Sequence, residues 1–296
     1  MGNSSSLSSC SAITDCMRPV IEDANNNILS YRHLVCQRGR DNDLCHVILV
    51  GEIHHNDKCP PEGLHNCLQR LGVFTTNTRT DVRLIVEMDV MQEDEDIRAL
   101  LSHRMHNQPL DHVPRRGQEM VQCFAMSGGG GLGQSHIHAS PVDVRGDRFK
   151  AAFLHTREQL TLPDLLALLR HASRYMLDAP SPQEVWPFKD PLYEMFIERC
   201  AVVQSQLKWL LRFDPTNIAA RIRCADEVWE CGAMAVDLEV CAILRSSPEP
   251  VMIFYGGENH CLNLSKYLEN GLAVPLKNYN LTCEIYSKNT LPPPPK

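Results

Sequence analysis

His46-Val-Ile-Leu-Val-Gly-Glu-Ile-His54 is a short apolar run that stops at a glycine, with a histidine three residues after that glycine. The same pattern returns far along the chain in Val251-Met-Ile-Phe-Tyr-Gly-Gly-Glu-Asn-His260. Short, partly β-branched apolar runs are typical of buried strands in a parallel sheet, and glycine allows the sharp turn that follows. Because ligands bind at the carboxyl edge of such sheets, we expect His54 and His260 to lie at one site.

A carboxylate follows a third apolar run. The run Val82-Arg-Leu-Ile-Val86 leads directly into Glu87-Met88-Asp89. A carboxylate at the end of a buried strand is costly unless it is paired or bound to a cation. We therefore expect Glu87 to meet the two histidines, with Asp89 as a reserve ligand or as a cap of the next element.

The segment Pro141–Asp147 is predicted to be another strand that ends in charge. Asp143 and Arg145 share one face of it, because side chains alternate along a strand. Arg145 suits a clamp for an oxyanion or a carboxylate. A structural ion pair of Arg145 with Asp147 or Asp89 explains the pattern equally well.

The remaining pattern favours an α/β fold with a mainly parallel central sheet, flanked by helices, and a helical insertion at about 151–246. Apolar residues at helical spacing predict three helices in that insertion, and further patterns predict one more strand and one more helix near the end. Residues 31–40 are expected to form a short turn or helix. The predicted elements of the second half are Leu160–Tyr175, Pro191–Phe213, Thr216–Arg245, Leu262–Asn270 and Leu281–Tyr286.

The domain organisation predicted from composition is simple. Residues 1–30 form a flexible polar arm, residues 31–288 form one α/β domain, and residues 289–296 form a proline-rich tail. The 296 residues are 43% hydrophobic, which allows a sizeable core. The formal net charge of -7 gives no basic footprint for nucleic acid.

Membrane and redox expectations come from the same composition. No stretch has the apolar length that spans a bilayer, so no transmembrane segment is expected. Residues 1–30 lack the apolar centre of a secretory signal, and the 13 cysteines are scattered, so they are expected to be reduced. The cluster His54, His55, Cys59, His65 and Cys67 matches no common zinc spacing.

The first residues, Met1-Gly2-Asn3-Ser4-Ser5-Ser6, fit an N-myristoylation signature with Gly2 as the acceptor. A flexible polar tail is the alternative. Acylation predicts a cytoplasmic protein that attaches peripherally to membranes in a eukaryotic or host cell. One myristoyl chain alone holds a membrane only marginally.

The order of these motifs resembles the superfamily of TIKI/TraB proteins, erythromycin esterases and the haem-binding lipoprotein ChaN. Gly51, Glu52 and His54 match its first motif, Glu87 its glutamate, and Gly257 with His260 its last motif. Met234-Ala235 matches a helix that the family introduces with an arginine; this chain has Glu230 and Cys231 there instead. Arg145 or Arg223 is the candidate replacement for that arginine.

This resemblance implies a hydrolase, protease-like or esterase-like, that acts on a small-molecule or peptide substrate. His54, Glu87 and His260 would bind a divalent metal (Mn, Co or Zn) or activate water directly. Glu52 is the expected general base, whereas Glu258 is expected to face solvent. The alternatives are a haem- or ligand-binding protein, with His54 and His55 as haem ligands, and a catalytically degenerate, membrane-tethered interaction protein.

The N-terminal signature predicts that Gly2→Ala abolishes acylation, because N-myristoylation requires a glycine at that position. The chain would be produced in eukaryotic cells with an alkyne-bearing myristate analogue, and its labelling and membrane fraction would be measured. Asn3→Ala is the matched control and should label normally. Equal labelling of the Gly2→Ala protein would contradict the signature.

Overall fold

The computed structural model describes residues 12–13, 15–18, 28–38, 43–52, 62–89, 136–146, 149–150, 152–153, 157–178, 191–269 and 281–287. These residues form a mixed α/β fold around one sheet. Its strands are β1 Ile28–Arg38, β2 Asp43–Glu52, β3 Val82–Asp89, β4 Ile137–Asp143, β5 Val251–Gly257 and β6 Leu281–Ser287. The helices are α1 Glu62–Thr78, α2 Leu162–Asp178, α3 Pro191–Phe213, α4 Ile218–Ser246 and α5 Glu258–Glu269.

The sheet has the order β4-β3-β5-β2-β1-β6 among the described strands. The four strands β4, β3, β5 and β2 run parallel, and β1 pairs antiparallel with both β2 and β6. The mainly parallel sheet predicted from sequence is thus present, with an antiparallel margin. The apolar runs that predicted strands at 46–50, 82–86 and 251–255 are the centres of β2, β3 and β5.

Both faces of β2 and β5 are buried, and successive residues alternate between two cores. In β5, Ile253 and Tyr255 pack on one face, while Met252 and Phe254 pack on the other. The first face is covered by α1 and by helical residues near the N-terminus, and the second face by α2, α3, α4 and α5. This double burial explains why the strands read as continuous apolar runs.

Three predicted boundaries differ from the structure. Residues 31–38 are part of strand β1 rather than a turn or helix, because this segment is hydrogen-bonded between β2 and β6. The strand predicted at 141–147 lies earlier, at Ile137–Asp143, so Arg145 follows it in a turn. The helix predicted over residues 262–270 already begins at Glu258.

The predicted flexible arm contains residues that pack in the core. Positions 12–13 and 15–18 are helical, and Ile13 and Met17 are almost completely buried against the first face of the sheet. Residues 28–30 already belong to β1. None of the seven cysteines whose side chains the structure describes forms a disulfide.

The burial of Ile13 predicts that this N-terminal segment contributes to stability. Ile13→Ala should lower the free energy of unfolding by about 2–5 kcal/mol, because it removes a fully buried side chain and leaves a cavity. Urea denaturation followed by circular dichroism would measure the loss. Val73→Ala, at a position 62% exposed in α1, should change it by no more than about 0.5 kcal/mol. Equal effects at both positions would show that Ile13 is not packed in the core.

Candidate functional site

The parallel strands bring three positions singled out in the sequence, Glu52, Glu87 and Gly257, to one edge of the sheet. Val50, Tyr255 and Val86 are neighbours across β2, β5 and β3, so the strands are in register as they approach their carboxyl ends. Two residues further, Glu52 pairs with Gly257 across β2 and β5. Glu87, on β3, has its side chain at the same edge, where it bonds to Gly257.

Glu87 lies at the centre of this edge, and its side chain is only 5% exposed. Its Oε2 accepts a hydrogen bond from the backbone N–H of Gly257 at 2.6 Å, and its Oε1 accepts one from Nη2 of Arg145 at 2.6 Å. Gly256 makes this approach possible, since a Cβ there would lie 2.9 Å from Oε2 of Glu87. The predicted costly carboxylate is therefore paired, as its burial requires.

Arg145 is held from several sides. Its Nε and Nη2 donate to the two oxygens of Asp143 at 2.9 and 3.0 Å, a two-point ion pair that fixes the plane of the guanidinium. The guanidinium carbon stands 5.2 Å from the centroid of the Trp229 ring on α4. Gly232 allows the close packing, because a Cβ on it would lie 2.7 Å from Cζ of Phe149 and 3.3 Å from Cδ of Arg145. Arg145 thus forms structural ion pairs with Asp143 and Glu87, neither of which was a predicted partner; the side chains of the predicted Asp147 and Asp89 are not described.

Asp143 is completely buried and pairs with a second basic side chain, that of Lys150, besides Arg145. Nζ of Lys150 lies 3.0 Å from its Oδ2, and the backbone N–H of Arg145 donates to its Oδ1 at 3.0 Å. Burial alone would raise the pKa of Asp143, but the charges of Arg145 and Lys150 hold that pKa well below its usual range. Asp143 is thus an ionised anchor for the arginine.

His260, in the first turn of α5, stands between two carboxylates. Its Nδ1 donates to Oδ1 of Asp237 on α4 at 2.6 Å, while its Nε2 lies 3.4 Å from Oε1 of Glu87. Burial alone would lower the pKa of His260, but Glu87 and Asp237 together raise that pKa to about 10. The ring is therefore an imidazolium at neutral pH, with its Nε2 held less tightly than its Nδ1.

The cluster is balanced in formal charge. Three acidic side chains face three basic ones, which is how a buried ionic network avoids an uncompensated charge. Its members lie on β3, β4, the residues after β4, α4 and α5, so it ties the sheet to the helices of the second face. The six residues are Glu87, Asp143 and Asp237, with Arg145, Lys150 and His260.

Sequence reasoning missed Asp237. It is fully buried, and its second oxygen accepts a hydrogen bond from Nδ2 of Asn263 at 3.1 Å. The signal was an acidic residue between Val236 and Leu238, inside the helix that carries Met234-Ala235. An acid among buried apolar neighbours requires a partner in the same way as Glu87.

A second ion pair lies beside this edge. Nη2 of Arg32 on β1 is 2.6 Å from Oε1 of Glu258, and Oε2 of Glu258 also accepts from the Ser30 hydroxyl. The expectation that Glu258 faces solvent is wrong, since its side chain is only 17% exposed and binds β1. This contact joins the start of α5 to the antiparallel margin of the sheet.

Several predicted residues are elsewhere or are not described. His54, His55 and Gly2 lie outside the described residues, and Glu52 is described only in its backbone. Arg223 is exposed on α4, about 21 Å along the helix from Asp237, so it lies away from the site. Arg145 does lie at the site.

The residues described at the site do not fit a metal well. Both oxygens of Glu87 already accept strong hydrogen bonds, one of them from a cation, and Nδ1 of His260 is bonded to Asp237. Within the described ranges, no group of three or more His, Cys, Asp or Glu side chains is arranged to hold a metal ion.

Comparison with protein-family models, with curated proteins and with solved structures finds nothing that matches the chain. Of the helices that the structure describes, none combines the length and apolar content needed to cross a membrane.

The paired His260 makes stability depend on pH in a defined direction. Its folded-state pKa of about 10 exceeds the ordinary value of 6.5, so its stabilisation is complete below about pH 6.5 and is lost as the pH rises through 10. Asp237→Asn should lower the free energy of unfolding by about 1.5–3 kcal/mol at pH 7, because a hydrogen bond to a charged group is weakened.

Urea denaturation of the wild type and of Asp237→Asn, from below pH 6.5 to above pH 10, would measure the difference between their free energies of unfolding. This difference should become smaller above pH 10. The control is Asp226→Asn on the same helix, where the side chain is 51% exposed and pairs with Arg157. We expect that control to stay within about 0.5 kcal/mol at every pH. A pH-independent loss in Asp237→Asn would contradict a charged His260.

Proposed function

We propose that this chain is a hydrolase that attacks an ester or amide carbonyl with an activated water at the carboxyl edge of the sheet. One observation carries the proposal: His260 is fixed by Asp237 at Nδ1 and presents a loosely held Nε2 beside Glu87. A histidine oriented by a carboxylate at one nitrogen, with its other nitrogen near the reacting position, is a recurrent arrangement for proton transfer.

In this mechanism His260 is the general acid. Its raised pKa supplies a proton on Nε2 at neutral pH, and the 3.4 Å separation from Glu87 leaves that proton weakly bound. Glu87 stabilises the imidazolium charge from the Nε2 side, and Arg145 and the N–H of Gly257 hold Glu87 in place. Glu87 and Arg145 are positioning residues rather than groups that touch the substrate.

Glu52 is the proposed general base. Its backbone is level with Gly257 in the neighbouring strand, the residue that immediately precedes the start of α5. Glu52 takes a proton from water as the water oxygen bonds to the carbonyl carbon. Nε2 of His260 then protonates the leaving oxygen or nitrogen as its bond to carbon breaks, and the proton on Glu52 returns to His260.

His54 is proposed to complete the site from the segment that follows β2. The strand that precedes it ends beside β5, so the chain leaves β2 next to the α5 start that carries His260. A divalent metal held by His54, Glu87 and His260 is the rival version, and it would require Arg145 to release Oε1 of Glu87. The water-only version is favoured because it needs no such rearrangement.

The proposed setting is a cell whose cytoplasm contains N-myristoyltransferase. Acylation at Gly2 would attach the enzyme peripherally to membranes, and a second contact with the bilayer would be needed for stable attachment.

Replacing His260 by alanine should reduce kcat/KM by about 10²–10⁴-fold, since general acid catalysis contributes that much. The assay is a panel of activated esters and peptide substrates, with and without Mn, Co or Zn and with a chelator. His54→Ala should also abolish turnover, whereas His138→Ala, at an exposed position of β4, is the control and should be fully active.

The dependence of activity on pH tests the role of His260 as the general acid. With His260 as the acid, activity is retained at neutral pH and falls as the pH rises through about 10. Full activity of both histidine variants would overturn the site assignment. A haem absorption band without turnover would show that the chain is a haem-binding protein rather than a hydrolase. Turnover that requires a metal would favour the metal-dependent mechanism over the water-only mechanism.

A further inference from the structure

We propose that the α3–α4 tip, defined as residues 204–224, is a docking surface for an anionic lipid bilayer. It comprises the end of α3, the connection through Asp214 to Asn217 and the start of α4. This proposal does not depend on the hydrolase assignment.

Large apolar side chains at this tip point away from the core. Trp209 is 55% exposed, and Phe213 and Ile218 are each 61% exposed. In contrast, Leu207 and Leu210 are buried and hold the helices together. An exposed cluster of this kind on an otherwise packed helical pair indicates an interaction surface.

The tip is locally well defined rather than frayed. Asn217 caps α4, its Oδ1 accepting from the N–H of Ala220 at 2.9 Å, and its Nδ2 donates to Oδ2 of Asp214 at 2.8 Å. The rings of Trp209 and Phe213 are 5.7 Å apart, and the guanidinium carbon of Arg212 stands 5.1 Å from the Phe213 centroid. The aromatic side chains and the cation thus form one preorganised unit.

Charge identifies the partner. The tip contains four basic residues and one acidic residue, Asp214, whereas the whole chain has a formal net charge of -7. This local reversal complements an anionic surface. Aromatic and aliphatic side chains next to Lys and Arg are the composition that inserts at the boundary between headgroups and acyl chains. The basic residues are Lys208, Arg212, Arg221 and Arg223.

A groove at the same place fits this partner. It has a volume of about 430 Å³ and is lined by residues that include Trp209, Leu210, Ala220, Cys224 and Arg223. An apolar groove with a guanidinium in its lining suits an acyl chain beneath an anionic headgroup. A second copy of the chain is less suitable, because two tips would bring their positive charges together.

The tip is remote from the candidate site. Ile218 and Asp237 lie on the same helix, about 28 Å apart at a rise of about 1.5 Å per residue. Binding of the tip to a membrane would therefore involve a part of α4 distant from Asp237 and from the site that it helps to form. It would supply the second contact that a single acyl chain requires.

The test is vesicle co-sedimentation of the full chain produced without acylation, so that Gly2 contributes nothing. Vesicles would contain phosphatidylcholine alone or phosphatidylcholine with phosphatidylserine. We expect binding only to the anionic vesicles, weakened by salt, with a shift of Trp209 fluorescence to shorter wavelength. Lys208→Gln/Arg212→Gln should weaken binding about 30-fold, from the attraction of two basic side chains.

A second double variant tests how much the exposed apolar side chains contribute to vesicle binding. Phe213→Ser/Ile218→Ser should weaken binding roughly tenfold or more, because it removes the inserted surface. Val73→Ser, at a position 62% exposed on the opposite face of the sheet, should bind normally. Thermal unfolding would check that each variant is folded, and exposed positions tolerate such changes.

Three outcomes would overturn the proposal. They are the absence of sedimentation with anionic vesicles, equal sedimentation with neutral ones, and binding that the tip variants leave unchanged. Concentration-dependent self-association that is lost in Phe213→Ser/Ile218→Ser, without vesicle binding, would assign the tip to a second copy of the chain.

Discussion

The buried carboxylate of Glu87 is the constraint around which this fold is arranged. A charge at the end of a central strand must be neutralised and hydrogen-bonded where it lies. Arg145 neutralises it from the residues after β4, Gly257 donates to it from β5, and His260 approaches it from α5. The two charged partners, Arg145 and His260, are buried as well and pair with Asp143 and Asp237, and Asp143 also pairs with Lys150.

The features that could be predicted from the sequence are those set by local sequence pattern and by the parallel arrangement of the strands. Strands β2, β3 and β5 follow from apolar runs that end at glycine or a carboxylate, since burial on both faces leaves no alternation. Glu87 and His260 follow from their places at strand ends. Their approach to each other follows from the parallel register. These are consequences of local pattern together with one rule about parallel sheets.

The rest depends on packing between distant segments. Asp237 becomes a partner of His260 only because α4 crosses the second face next to α5, and nothing in its own helix specifies that contact. A structural ion pair was one of two roles predicted for Arg145, but its partners, Glu87 and Asp143, were not predicted. Strand β1 was missed because its identity comes from pairing with β2 on one side and β6 on the other. Ile13 likewise packs against a surface that the sheet and α1 provide.

The candidate site and the proposed membrane-docking surface differ in where their charges lie. At the sheet edge, charge is buried and balanced, and the carboxylates of Glu87 and Asp237 raise the pKa of His260 against the effect of burial, so the ring is an imidazolium at neutral pH. At the α3–α4 tip, charge and apolar surface are both exposed. The most direct measurement of the central claim is an NMR titration of His260 in labelled wild-type protein, assigned with His260→Gln. The account predicts an imidazolium that loses its proton near pH 10. A pKa at or below the ordinary value of 6.5 would contradict the buried ionic cluster and the acid role built on it.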